Sequence, residues 1–141
     1  MANTAGMTTS FKAEILQAQH NLNSHSLKAA LYYNTATYGP SSTAYSATGE
    51  LSSSNYTAGG ATVTNGTVAT SGTTAYWTPT ANFSWSNITM PTPVDACMLY
   101  NTSASNKSIS VHTFGAQSIV AGNFTLTQPT NDASNALIRI A

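Results

Sequence analysis

Along most of this chain, apolar side chains alternate one by one with side chains that carry a hydroxyl or another polar group. Leu27, Ala29, Leu31 and Tyr33 alternate with Lys28, Ala30 and Tyr32, and Phe83 and Trp85 alternate with Ser84 and Ser86. Ile109, Val111 and Thr113 are interleaved with Ser110 and His112, and Phe124 and Leu126 with Thr125 and Thr127. A two-residue period places alternate side chains on opposite faces of an extended strand, so each run describes one half-buried strand. The run Ala96–Tyr100 lacks the polar partner and reads as a strand buried on both faces. Gly, Pro and Asn clusters interrupt the pattern every ~8–12 residues, the spacing of short antiparallel strands. The expectation is a mainly β chain of about seven or eight strands, an antiparallel β-sandwich or jelly-roll-like domain.

Only one segment breaks that period. Phe11, Ile15, Ala18 and Leu22 recur at three- and four-residue spacing among good helix formers, which predicts a short amphipathic helix over about 10–22. Ser10 is its expected N-cap. Residues 1–9, small and polar, are expected as a flexible arm, and 10–141 as a single β-rich domain. Between Asn34 and Tyr45 lies a long loop with its own aromatics, a length that often marks function. Thr57-Ala58-Gly59-Gly60 reads as a turn feeding a strand over 61–69, with Asn65-Gly66 turning or bulging it. The C-terminus, Ala136-Leu137-Ile138-Arg139-Ile140-Ala141, stays apolar to the end and must lie centrally in a sheet or at an interface.

Charge is nearly absent. Four Lys or Arg and four Asp or Glu are set against 23 Thr and 18 Ser in 141 residues. A soluble domain usually carries about a quarter charged residues, and enzymes draw on such groups to move protons and stabilise charge. The scarcity points away from catalysis and toward a packed surface seated on another molecule. Lys12, Lys28, Lys107 and Arg139 are scattered, so no basic patch is present for nucleic acid. Residues 1–7 lack the basic start and apolar run of a signal peptide, and no stretch reaches the ~18 apolar residues of a membrane span.

Candidate chemical groups are correspondingly few. His20 and His25 are five apart, without the helical spacing or Cys partners of a zinc site, and read as helix-end and solvated histidines. His112, opposite Val111 on a strand, reads as a hydrogen-bonded surface group. Glu14, Glu50, Asp95 and Asp132 are too dispersed to announce a carboxylate pair, so no catalytic, cofactor or metal residue is assigned. The lone Cys97 has no basic neighbour in sequence and reads as a small buried hydrophobe. Tyr32, Tyr33, Tyr38, Tyr45 and Tyr56 cluster in one strand and the loop after it, where they either line the sheet or form an aromatic platform. Trp77 and Trp85, in strand-like contexts, are expected mainly in the core.

Several segments in order carry a resemblance. They are Ser-Phe-Lys-Ala-Glu-Ile-Leu from Ser10, Leu-Lys-Ala-Ala-Leu-Tyr from Leu27, and Ser-Thr-Ala-Tyr-Ser-Ala-Thr-Gly-Glu ending at Glu50. Tyr-Thr-Ala-Gly-Gly at Tyr56, Gly-Asn-Phe-Thr-Leu-Thr at Gly122 and Asn-Ala-Leu-Ile-Arg-Ile-Ala at the end complete it. Together they resemble small tailed-bacteriophage virion proteins of the capsid decoration, or cement, type. The resemblance implies a non-enzymatic protein on the virion surface, made in the host cytoplasm, trimeric, and bound to the major capsid protein at capsomer junctions. It implies no cofactor. Phe11, Ile15 and Leu16 on the helix, with Tyr38 and Tyr45 in the loop, are the interface residues expected. A tail or baseplate component is the structural alternative. A carbohydrate-binding module, with weak saccharide binding through exposed Tyr or Trp, is the alternative from another class.

Overall fold

The structure, a computed structural model, describes residues 2–141. Its centre is the antiparallel pair that the two most apolar runs form. Strand β2 (Leu27–Tyr33) and strand β7 (Val94–Asn101) lie side by side, Leu31 opposite Cys97 and Ala29 opposite Leu99. Strand β8 (Lys107–Gln117) flanks β7, and two short strands close the edges, β1 (Gly6–Met7) beside β8 and β3 (Ala61–Thr62) beside β2. The order across this five-stranded sheet is β1-β8-β7-β2-β3. A three-stranded sheet has the order β10-β5-β4, from Ile138–Ile140, Thr74–Trp77 and Ala69–Ser71. A two-stranded sheet pairs β6 (Phe83–Ile88) with β9 (Gly122–Leu126). Among the described residues the strands are antiparallel throughout and one short α-helix accompanies them, a mainly β, sandwich-like fold.

The central sheet is dry on both faces, as the unbroken apolar run of β7 implies. Strand β2, expected half-buried from its alternation, is corrected to a strand buried on both faces, with Ala30 and Tyr32 fully covered. Leu27, Ala29, Leu31, Cys97, Leu99 and Ile109 face a main core shared with Phe11, Trp77, Phe83, Trp85 and Phe124. Ala30, Tyr32, Ala96, Met98, Tyr100 and Val111 face a second core on the opposite side. The loop after β2 covers that side, with Ala36, Tyr38 and Tyr45 packed against it. Each fully buried Leu or Ile, such as Leu31, Leu99 and Ile109, contributes about 1.5–3 kcal/mol of transfer free energy.

Three further local expectations are corrected. The segment expected as a free arm is built into the domain: Asn3 is buried, Gly6 and Met7 pair with Val111 and Ser110, and Thr8 is fully buried. The helix α1 spans Thr9–Leu16, with Thr8 rather than Ser10 as N-cap, its Oγ1 accepting from Phe11 N at 3.3 Å. It stops six residues early because Ala18 turns left-handed (φ 56°) and the chain reverses, with Leu22 returned to the core. The strand expected over 61–69 divides between two sheets. Residues 63–68 belong to no strand, and Asn65 Nδ2 instead ties them to the carbonyls of Leu22 and His25.

Candidate interaction surface

Each Asp and Glu side chain accepts a hydrogen bond from within the fold. Glu14, buried on α1, receives Lys107 Nζ at 3.0 Å and His20 Nε2 at 2.7 Å. Burial pushes its pKa up, but the bonds from His20 and Lys107 outweigh that and hold the carboxyl below its ordinary value. His20 Nδ1 accepts from Asn101 Nδ2 at 3.0 Å, and the same amide donates to His25 Nδ1 at 2.9 Å. An acceptor at Nδ1 puts the proton of neutral His20 on Nε2, facing the carboxylate. The expectation of solvated histidines is thereby corrected for His20, whose side chain exposes no surface. Glu50, also buried, accepts from the hydroxyls of Tyr45 (2.6 Å) and Tyr56 (2.7 Å) and from Gly59 N (2.7 Å). Asp95 receives Asn3 Nδ2 at 2.7 Å, and Asp132 caps the turn at Ser134 and Asn135.

The remaining reactive groups are equally committed. Cys97 is buried, and burial raises its thiol to about 12, far from thiolate chemistry. His112, half-buried beside Ser110 Oγ at 2.7 Å, is pulled down to about 4 by burial and is neutral at pH 7. Among the described residues, no three His, Cys, Asp or Glu side chains are grouped to hold a metal ion.

The five residues expected at an interface have three different fates. Phe11 is core, 1% exposed, its ring edge-on to His20. Tyr38 and Tyr45 are half-buried on the second core, against Tyr32 and Tyr100 respectively. Their hydroxyls donate to Thr48 O and Glu50, so each holds the loop down rather than presenting a free polar tip. Ile15 is half-buried, and Leu16, at the end of α1, is 89% exposed. Trp77 and Trp85 are core residues, which removes both from any exposed aromatic row.

Leu16 does not stand alone. The last strand, β10, brings Ile140 (43% exposed) alongside α1, and Met7 of β1 completes an apolar groove. The groove, about 470 Å³, is lined by Met7, Lys12, Ile15, Leu16, Arg139 and Ile140. A second cleft of about 420 Å³ opens on the other side of Ile15 and Ile140 and reaches down to Trp77 and Leu22. Sequence reasoning finds Leu16 and Ile15 and expects the C-terminal run centrally in a sheet or at an interface, whereas β10 lies at the edge of its sheet. That reading does not join the two, because their meeting depends on β10 pairing with β5 some 60 residues earlier: Ile138 lies opposite Trp77 and Ile140 opposite Ala75.

Compared with protein-family models, curated proteins and solved structures, the chain matches none. The surface must therefore be interpreted from its own chemistry: an apolar ridge on well-anchored elements, with no acid in its lining.

Proposed function

We propose that this chain is a structural protein of a tailed-phage virion that seats on the head at capsomer junctions and stabilises it by buried contact. The observation that carries this reading is the exposed Leu16–Ile140 ridge, set on a helix and a strand that the core holds in place, while all four Asp and Glu side chains accept hydrogen bonds from within the fold. Contact of this kind adds apolar area repeatedly across a symmetric shell, and no proton transfer is asked of it. Few ion pairs would be available to screen, so binding through the ridge varies weakly with salt unless Lys12 and Arg139 take part. The resemblance supplies the major capsid protein as partner and the trimer as assembly state.

Reconstruction of the particle that contains this chain is the test. Density between capsomers, with α1 and β10 at the contact, is the expected result. Density confined to the tail would transfer the protein to the tail or baseplate, and absence from every particle would end the virion reading. Light scattering of the purified chain gives the mass, three copies being expected.

A further inference from the structure

The sheet edges around the ridge say more about what lies there. β10 is the edge of the three-stranded sheet and β1 the edge of the five-stranded sheet. A cleft of about 360 Å³ runs between them, with Ala5–Met7 on one wall and residues 136–139 on the other. β10 pairs with β5 on one side alone, and among the described residues 138–141 have no backbone hydrogen bond beyond that ladder. An open edge beside apolar side chains is the template for adding an extended strand.

Charge then selects the occupant. Two of the chain's four cations, Lys12 and Arg139, line the adjoining groove, and no acid does. Neither has a carboxylate within 4 Å among the described residues. Arg139 donates to the Ala133 carbonyl at 3.4 Å, and Asp132, although near enough to feel its charge, is bonded to Ser134 and Asn135. A second copy meeting this face about a two-fold axis would set these cations near their equivalents, and no Asp or Glu lies in the lining of either cavity to receive them. Like-charge juxtaposition of that kind works against the pairing.

We infer that the slot between β1 and β10 takes an extended, apolar segment of a different protein that carries carboxylates, the backbone adding to β10 and the carboxylates pairing with Lys12 and Arg139. This rests on the Leu16 face being the binding face and adds the chemistry of what it binds. On the capsid reading, the segment belongs to the major capsid protein.

The test is an amide-resolved NMR titration of the full labelled chain with three end-blocked peptides of about eight residues, near the usual strand length. Each alternates Val with Thr and differs only in two positions, which are Glu, Gln or Lys. Saturable shifts at Gly6–Met7 and residues 138–141 with the Glu peptide are expected. Affinity should fall at least about tenfold with the Gln peptide, or with Lys12→Gln and Arg139→Gln together, both exposed positions. Equal binding of the Gln peptide, preference for the Lys peptide, shifts elsewhere, or no saturable shift overturns the inference. Shifts at the same amides on concentrating the chain alone make a second copy the occupant and overturn it too. Leu16→Asp separates this inference from the reading beneath it. If that change abolishes particle binding while the peptides fail, the face stands and the strand-and-carboxylate account falls. If particle binding survives it while the Glu peptide binds as expected, the slot chemistry stands and its assignment to the capsid contact falls.

Discussion

Glu14 and His20 meet at 2.7 Å across the chain reversal that ends α1, with Lys107 of β8 on the other carboxylate oxygen at 3.0 Å. This one carboxylate thus binds the helix, the returning segment and the central sheet together. Asn101 extends the chain of bonds through His20 to His25. The groove beside Leu16 keeps its shape because the helix end is fixed from beneath by this network.

Replacing Glu14 by Gln removes the charge from both bonds. The expected loss is about 1–3 kcal/mol, because Lys107 and His20 are left with a neutral acceptor in a largely buried site. The pH dependence has a definite sign. The folded pKa of Glu14 lies below the ordinary value, so its stabilisation is present above about pH 4.5 and is lost as pH falls through the folded pKa. Urea midpoints at pH 7 and pH 3.5 should show the wild type converging toward Glu14→Gln in acid; a constant gap between them contradicts the assignment.

His112 acts in a different window. Its folded pKa near 4 lies below the ordinary 6.5, so between those values the unfolded chain binds a proton that the folded chain refuses. Stability therefore declines as pH drops from about 6.5 to 4, by at most about 2 kcal/mol after allowing for the ring's partial exposure. His112→Gln should flatten this part of the urea-midpoint profile while leaving the Glu14 slope at lower pH.

Tyr56 closes the second core's polar cluster from the other side. Its hydroxyl donates to Glu50 and accepts from Leu31 N at 2.9 Å, inside the central strand. Tyr56→Phe keeps the ring but leaves Leu31 N without that acceptor and takes one of three donors from Glu50, for an expected loss of about 2 kcal/mol. Hydrogen exchange at Leu31 should quicken selectively; unchanged protection there would show that another group takes over.

Two backbone changes should act in opposite directions. At Gly60 (φ 85°) a Cβ would fall 1.9 Å from the Ala29 carbonyl oxygen, so Gly60→Ala is expected to cost about 3 kcal/mol or more and to loosen β3. At the exposed Ala18 (φ 56°) the strain is already present, and Ala18→Gly should raise the thermal midpoint through a gain of about 0.5 kcal/mol. Calorimetry distinguishes the two directly.

Leu16→Asp tests the ridge without disturbing what supports it. At 89% exposure the side chain contributes little to folding, so stability should change by less than about 0.5 kcal/mol while particle binding is lost. A large drop in stability would mean that Leu16 serves the fold instead of a partner.

What the sequence determined by itself is local and periodic. Alternation placed strands at β6, β8 and β9, continuous apolarity marked β7 as buried, and the turn residues at Gly59-Gly60 fell where the chain turns. Tertiary structure decided the rest, because the deciding partners are distant in sequence. The loop after β2 became the cover of a second core because its tyrosines find Tyr32, Tyr100 and Glu50. The expected arm became an edge strand because β8 offered Val111 and Ser110 to pair with. The parting of Phe11 and Leu16 into core and surface was, by contrast, set by helix period, since five residues place them about 140° apart around α1. The groove exists only because the last strand pairs with β5 and lies beside that helix. Side-chain period is set by neighbours one or two bonds of chain away, whereas a surface is set by which distant segments the packing of the core brings together.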